Sequence, residues 1–212
     1  MAALAVIWLA ACGAPSSPPV SSAPPPDGSV RVNPARIDRV RDDLPAGYET
    51  ADLTGPVSPA ALWGYGPPWS ADPARCAALA DPAGAATATG WSASGPGGIV
   101  YAVVAASPGR ADPGVVAECE QWTIVGGRST GRVSLVPAPA LVDATAIAMA
   151  TASATVVEGG TETRSHADTV TAYLGDHIAF VSVVTDPGSP NPQLGADFAA
   201  GLLAKTVSAL RG

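Results

Sequence analysis

Four stretches in the second half of the chain, residues 132–136, 145–157, 161–174 and 177–185, are rich in Thr, Val and Ala, the composition of β-strands. Between them stand Gly159-Gly160 and Gly175-Asp176, pairs suited to two-residue hairpin connections. A chain that reverses after two residues can pair its arms only antiparallel, so this half must form a meander. Few architectures accept such a unit without a layer packed on it. The required layer follows in sequence: Asn191 and Pro192 supply a helix start, and Leu194, Phe198, Leu202, Leu203, Val207 and Leu210 form one apolar stripe. Arg211 complements the C-terminal end of that helix, which is expected to cover one face of the sheet.

The first half reads as shorter pieces. Asn33 and Pro34 are a cap and a first-turn proline, with Ile37, Val40 and Leu44 at helical spacing before Pro45. Residues 48–53 alternate weakly as a strand, and residues 56–68 form a Gly/Pro-rich loop around Trp63, Tyr65 and Trp69. Asp72-Pro73 opens a helix carrying Cys76 and Leu79. Residues 86–92 and 99–105 are strands around a turn at 94–98, and Asp112-Pro113 opens a helix with Val115, Val116, Cys119 and Trp122 on one face. The expected fold class is α+β: an antiparallel meander with flanking helices in a single domain over residues 33–212.

Ahead of that domain, residues 1–11 are apolar like the core of a signal peptide, and Leu9-Ala10-Ala11-Cys12-Gly13 resembles a bacterial lipobox. The resemblance implies cleavage before Cys12 and acylation there, so that Cys12 anchors the protein to membrane. No Lys or Arg precedes Arg31, although a signal peptide needs a positive start, and translation is expected to begin upstream of Met1. Residues 14–28 hold six prolines and four serines; with residues 12–32 as a whole they are expected to form a disordered tether. The location implied is the outer face of a bacterial plasma membrane. Once Cys12 is lipidated, Cys76 and Cys119 remain as a pair in an oxidising compartment and are expected to be bonded.

From Ile37 onward the chain has nine positive and seventeen negative side chains, which argues against a nucleic-acid partner and against electrostatic attachment to anionic lipid. Gly127-Arg128-Ser129-Thr130-Gly131 matches GxSxG, but the residues after Ser129 alternate like a strand where a nucleophile elbow needs a helix, so a hairpin turn is expected. Gly95-Pro96-Gly97-Gly98 lacks the Lys of a phosphate loop and is read as a turn. Glu162, Arg164, His166 and Asp168, spaced by two, share one strand face, either solvated or rimming a ligand groove. His177 is read as a strand-end residue beside Asp176. Trp63, Tyr65 and Trp69 either plug the sheet or stack on a ligand, and a domain with two phenylalanines needs its tryptophans inside. No catalytic set, metal site or cofactor motif emerges.

The lipobox, the tether, NPARIDRVRDDLPAGYE from Asn33, CAAL from Cys76, GWSASGPGGIVY from Gly90 and GDHIAFVSVVTDP from Gly175 together resemble small mycobacterial lipoproteins of unknown function. These are similar to the extracellular sensor domain of the mycobacterial serine/threonine kinase PknH. The resemblance implies an antiparallel sheet with flanking helices and a cleft for an unidentified ligand; sensor domains of that kind carry two disulfides, where this chain has cysteines for one. The expectation is a non-catalytic envelope protein that binds a small amphiphile or cell-wall component, with Trp63, Tyr65, Trp69, Arg164 and His166 as candidate ligand-binding residues. The alternative is an interaction module for an envelope protein or kinase.

Overall fold

The computed structural model describes residues 31–107 and 110–212. The expected signal peptide, lipidation at Cys12 and nearly all of the tether lie outside the described residues. In chain order the strands are β1 (Glu49–Pro56), β2 (Trp69–Asp72), β3 (Thr87–Gly95), β4 (Gly98–Ala106), β5 (Gln121–Gly126), β6 (Ser129–Val136), β7 (Thr145–Val156), β8 (Glu162–Tyr173) and β9 (His177–Thr185). They form one nine-stranded antiparallel sheet in the order β1-β3-β4-β9-β8-β7-β6-β5-β2. The helices are a 3-10 helix at Pro34–Asp43, α1 (Pro59–Leu62), α2 (Ala77–Ala80), α3 (Pro113–Glu118) and α4 (Ala196–Arg211). The antiparallel sheet, its flanking helices and the single Cys76–Cys119 disulfide agree with the expected fold class.

Period-2 alternation divides the side chains between two faces. Val100, Ala102, Val170, Ala172, Ala179, Val181 and Val183 point to one, where Leu202, Leu203, Val207 and Leu210 of α4 and Ile37 and Val40 of the 3-10 helix pack on them. We call this the helix face. Each fully buried aliphatic side chain of this kind contributes about 1.5–3 kcal/mol. Trp91 joins the layers, its ring buried and its indole N–H donating to Ile37 O at 3.1 Å. The opposite, aromatic face is covered by α1, α2, α3 and the segment from Trp63 to Trp69, enclosing Ile124, Val133, Ile147, Met149 and Ala167.

Local signals explain most element ends. Asn33 Oδ1 accepts from Ala35 N at 3.1 Å, and Asp112 Oδ1 from Gly114 N at 2.8 Å, each just before a proline at the first helical position. At Gly175, φ +87° allows a tight reversal, closed by Leu174 N donating to His177 O. The disulfide joins the end of a 3-10 turn, Ala74–Cys76, to the C-cap of α3, with Cα atoms 5.7 Å apart.

Several expectations need correction. Trp122 belongs to β5 and not to a helical face, because α3 stops at Glu118 and Cys119 leaves the helical region. The last helix starts at Ala196, not after Pro192, because Leu194 N donates to Gly97 O and pins the intervening segment to the β3–β4 turn. Trp69 lies in edge strand β2 rather than in a loop, and the loop itself contains α1, capped by Ser58 Oγ. The Gly159-Gly160 connection is longer than two residues: it closes through Val157 N to Thr161 O around a 3-10 turn at Glu158–Gly160.

Candidate functional site

The five candidate ligand residues divide between opposite faces. Trp63 and Tyr65 are buried on the aromatic face, at 4% and 0% exposure. Their polar tips are already engaged: Trp63 Nε1 donates to Thr169 Oγ1 at 2.9 Å, and Tyr65 Oη donates to Ser153 Oγ at 2.9 Å. Burial pushes the Tyr65 phenol above its ordinary pKa, with the Ser153 bond acting in the opposite direction. Trp63 also packs against Trp122, ring centroids 6.4 Å apart. Trp69 is half-buried opposite Gly126. Of the two readings held for Trp63 and Tyr65, burial agrees with the sheet plug.

The GxSxG stretch is accounted for on the same face. Gly127 takes φ +58° in the β5–β6 turn, and the buried Ser129 shares a 2.7 Å hydrogen bond with Thr155. Gly131 lies so close to Tyr65 that a Cβ there would come within 2.2 Å of the phenol oxygen. His166 projects from the other face, and His177 sits at the far end of the sheet against Asp176. Ser129 is therefore not brought to either histidine, and among the described residues no cluster of three or more His, Cys, Asp or Glu could hold a metal ion.

On the helix face, α4 and the 3-10 helix pack on β3, β4, β9 and part of β8, but leave the outer half of β5 to β8 open. Register gives the open half a regular layout. Val136, Ala148 and Val170 lie side by side under α4; the next row is Ser134, Ala150 and Asp168; then Arg132, Ala152, His166 and Thr185; then Thr130, Ala154 and Arg164. β7 contributes only alanine to these rows, so it forms a floor between taller walls on β6 and β8. At the α4 end the groove deepens into a cavity of about 270 Å³ walled by Val136, Pro137, Pro139, Val170 and Ala200, with Asp168 and Asp197 at its border. At the other end it widens into a trough of about 580 Å³ between Thr130, Arg132 and Arg164.

The charges on this surface are unevenly satisfied. His166 Nε2 lies 3.2 Å from Asp168 Oδ1, and this bond is the main reason its pKa rises above the ordinary 6.5; desolvation opposes the shift and the carboxylate's charge adds to it. Arg164 Nε donates to Glu162 Oε1 at 2.8 Å, an exposed pair. Arg132 is exposed and makes no ion pair among the described residues. The Glu162, Arg164, His166 and Asp168 ladder therefore does share one face, with Arg164 and His166 on a groove wall. Sequence reading passed over Arg132 and the alternating alanines from Ala144 to Ala154, which were visible as a period-2 pattern.

The groove opens at the end of the sheet opposite the point where the chain enters. Asn33 N donates to Leu210 O at the C-terminal end of α4, and Arg211 binds the carbonyls of Val142 and Asp143 ahead of β7. The open trough lies at the C-terminal end of β7.

Comparison with known proteins gives one family and a shared fold. Residues 33–211 match the model of a domain of unknown function, DUF5642. Among solved structures, the chain is similar to an uncharacterized protein, the Rv0999 ortholog, from Mycobacterium smegmatis: 18% identity, TM-score 0.63, covering 85% of this chain and 98% of that one. At that identity the likeness concerns the fold. No curated protein matches the chain.

Proposed function

The chain belongs to the DUF5642 family, and for this member of it we propose a non-catalytic binding module that holds a small amphiphile along the alanine-floored groove of the helix face. The observation that carries this reading is the groove's gradient. It runs along one strand face from a cavity beneath Pro137, Pro139 and α4, where Val136, Val170 and Ala200 stand beside Asp168 and Asp197, to a trough that carries Arg132 and Arg164. Binding sites of this kind combine apolar walls with a few convergent polar groups. Among the groove's lining residues there is no Trp, Tyr or Phe ring on which a sugar could stack, which favours an amphiphile over a glycan.

In this reading Cys12 carries the lipid, the Pro/Ser segment is the tether, and the domain works on the outer face of the plasma membrane, as in the sensor-like lipoproteins it resembles. Two or more acyl chains make attachment stable where one is marginal.

The test is a thermal-shift series on the purified protein with three ten-carbon amphiphiles below their micelle concentrations: decyl phosphate, decyl maltoside and decyltrimethylammonium. At least one should raise Tm, since a ligand that binds only the folded state stabilises it by mass action. Ala152→Trp, which fills the groove floor, should remove the shift. No shift with any of the three, or a shift that survives Ala152→Trp, would end this reading.

A further inference from the structure

We infer that the ligand of this groove has an anionic head group, a phosphate or carboxylate, held between Arg132 and Arg164; this rests on the binding reading above and names its ligand class. The two arginines stand on β6 and β8, either side of β7, with only Ala152 and Ala154 between them. Neighbouring strands are about 4.8 Å apart, so the two backbone columns are separated by roughly 10 Å. Both side chains can therefore bend toward one oxyanion lying on the alanine floor. Guanidinium groups recognise such oxyanions through paired N–H donors, and charge-assisted bonds of this sort are the strong ones.

Existing partners leave room for that role. Arg132 makes no ion pair among the described residues. Arg164 uses Nε on Glu162, leaving its terminal nitrogens for a ligand, and the side chains of this pair are 77% and 45% exposed, so an anion can replace the carboxylate at small cost. Orientation is fixed from the other end. Asp168 and Asp197 line the cavity beneath α4, and Asp168 is held by His166. Their negative charge keeps a second anion out of the cavity, so the head sits at the arginines and the alkyl tail runs over Ala150 and Ala148 toward Pro137 and Ala200. From Arg164 to Val170 this path is about 20 Å at the rise of a strand.

The experiment is calorimetric titration of the full-length protein with decyl phosphate, decyl maltoside and decyltrimethylammonium at low ionic strength, on the wild type, Arg132→Ala, Arg164→Ala and Arg132→Lys. Decyl phosphate should bind about tenfold or more tightly than the other two, and each alanine variant should weaken it about tenfold, with a clearly smaller effect on decyl maltoside. Arg132→Lys should recover part of the loss. Both positions are exposed, so the variants should keep the wild-type Tm. If decyl maltoside or decyltrimethylammonium binds as well as decyl phosphate, and Ala152→Trp abolishes that binding, the anionic inference falls while the groove reading stands. If none binds, both fall.

Discussion

Along β7 the residues facing the aromatic layer are Ile147, Met149, Thr151 and Ser153, whereas those facing the helices are Ala148, Ala150, Ala152 and Ala154. One strand thus serves two unlike surfaces. The larger residues lie under a cover of α1, α2, α3, Trp63 and Tyr65, stapled by Cys76–Cys119. The alanines are covered only where α4 reaches Ala148 and are open beyond it. An alanine methyl removes little area from water when buried, so leaving a row of them uncovered sacrifices little stability. Along β7 the sheet thus buries its larger side chains on one side and leaves only small ones uncovered on the other.

Substitutions should separate the two faces sharply. Trp63→Ala should lower unfolding stability by about 3–5 kcal/mol in a urea titration, through a cavity and the loss of its bond to Thr169. A loss below about 1 kcal/mol would show that the aromatic face does not carry the core. Replacing Cys76 and Cys119 together by Ser should cost about 4 kcal/mol for a bridge spanning 43 residues, measured the same way.

Gly131→Ala should destabilise by about 1–3 kcal/mol, because the new methyl meets the Tyr65 hydroxyl and the core must shift. Combining it with Tyr65→Phe should relieve part of that cost, which a double-mutant cycle would read as coupling. On the open face, Arg132→Ala and Ala152→Ser should each change stability by no more than about 0.5 kcal/mol. Larger changes there would blur the distinction between the faces.

His166 sharpens the comparison without perturbing the core. Its imidazole, followed by NMR, should titrate above 6.5, and Asp168→Asn should bring it back down. Because the folded-state value is raised, the stability from this pair is complete below the unfolded pKa near 6.5 and disappears as pH rises through the folded value. With the side chain 37% exposed, solvent screening keeps the effect small.

Much of this architecture was readable from residue pattern. The β8–β9 hairpin follows from Gly175-Asp176, the caps from Asn33 and Asp112, and the disulfide from cysteine count and the compartment that the lipobox resemblance implies. Other features depend on contacts distant in sequence. β5 was hidden because Trp122 continues the helical spacing of Val115 and Cys119, and only the stop after Glu118 separates them. The start of α4 is set by a bond from Leu194 to Gly97 across the fold. The groove escaped notice for a different reason: Ala alternating with Thr and Ser gives little hydrophobic contrast, and the missing cover over Ala152 and Ala154 is a property of where α4 begins.

The central claim is that the alanine-floored half of the helix face is a binding surface. Backbone amide shift mapping during titration with decyl phosphate tests it most directly. Perturbations should concentrate at residues 130–134, 150–154 and 164–168 and spare Trp63 and Tyr65. Shifts confined to the segment from Trp63 to Trp69, or none at saturating probe, would contradict it.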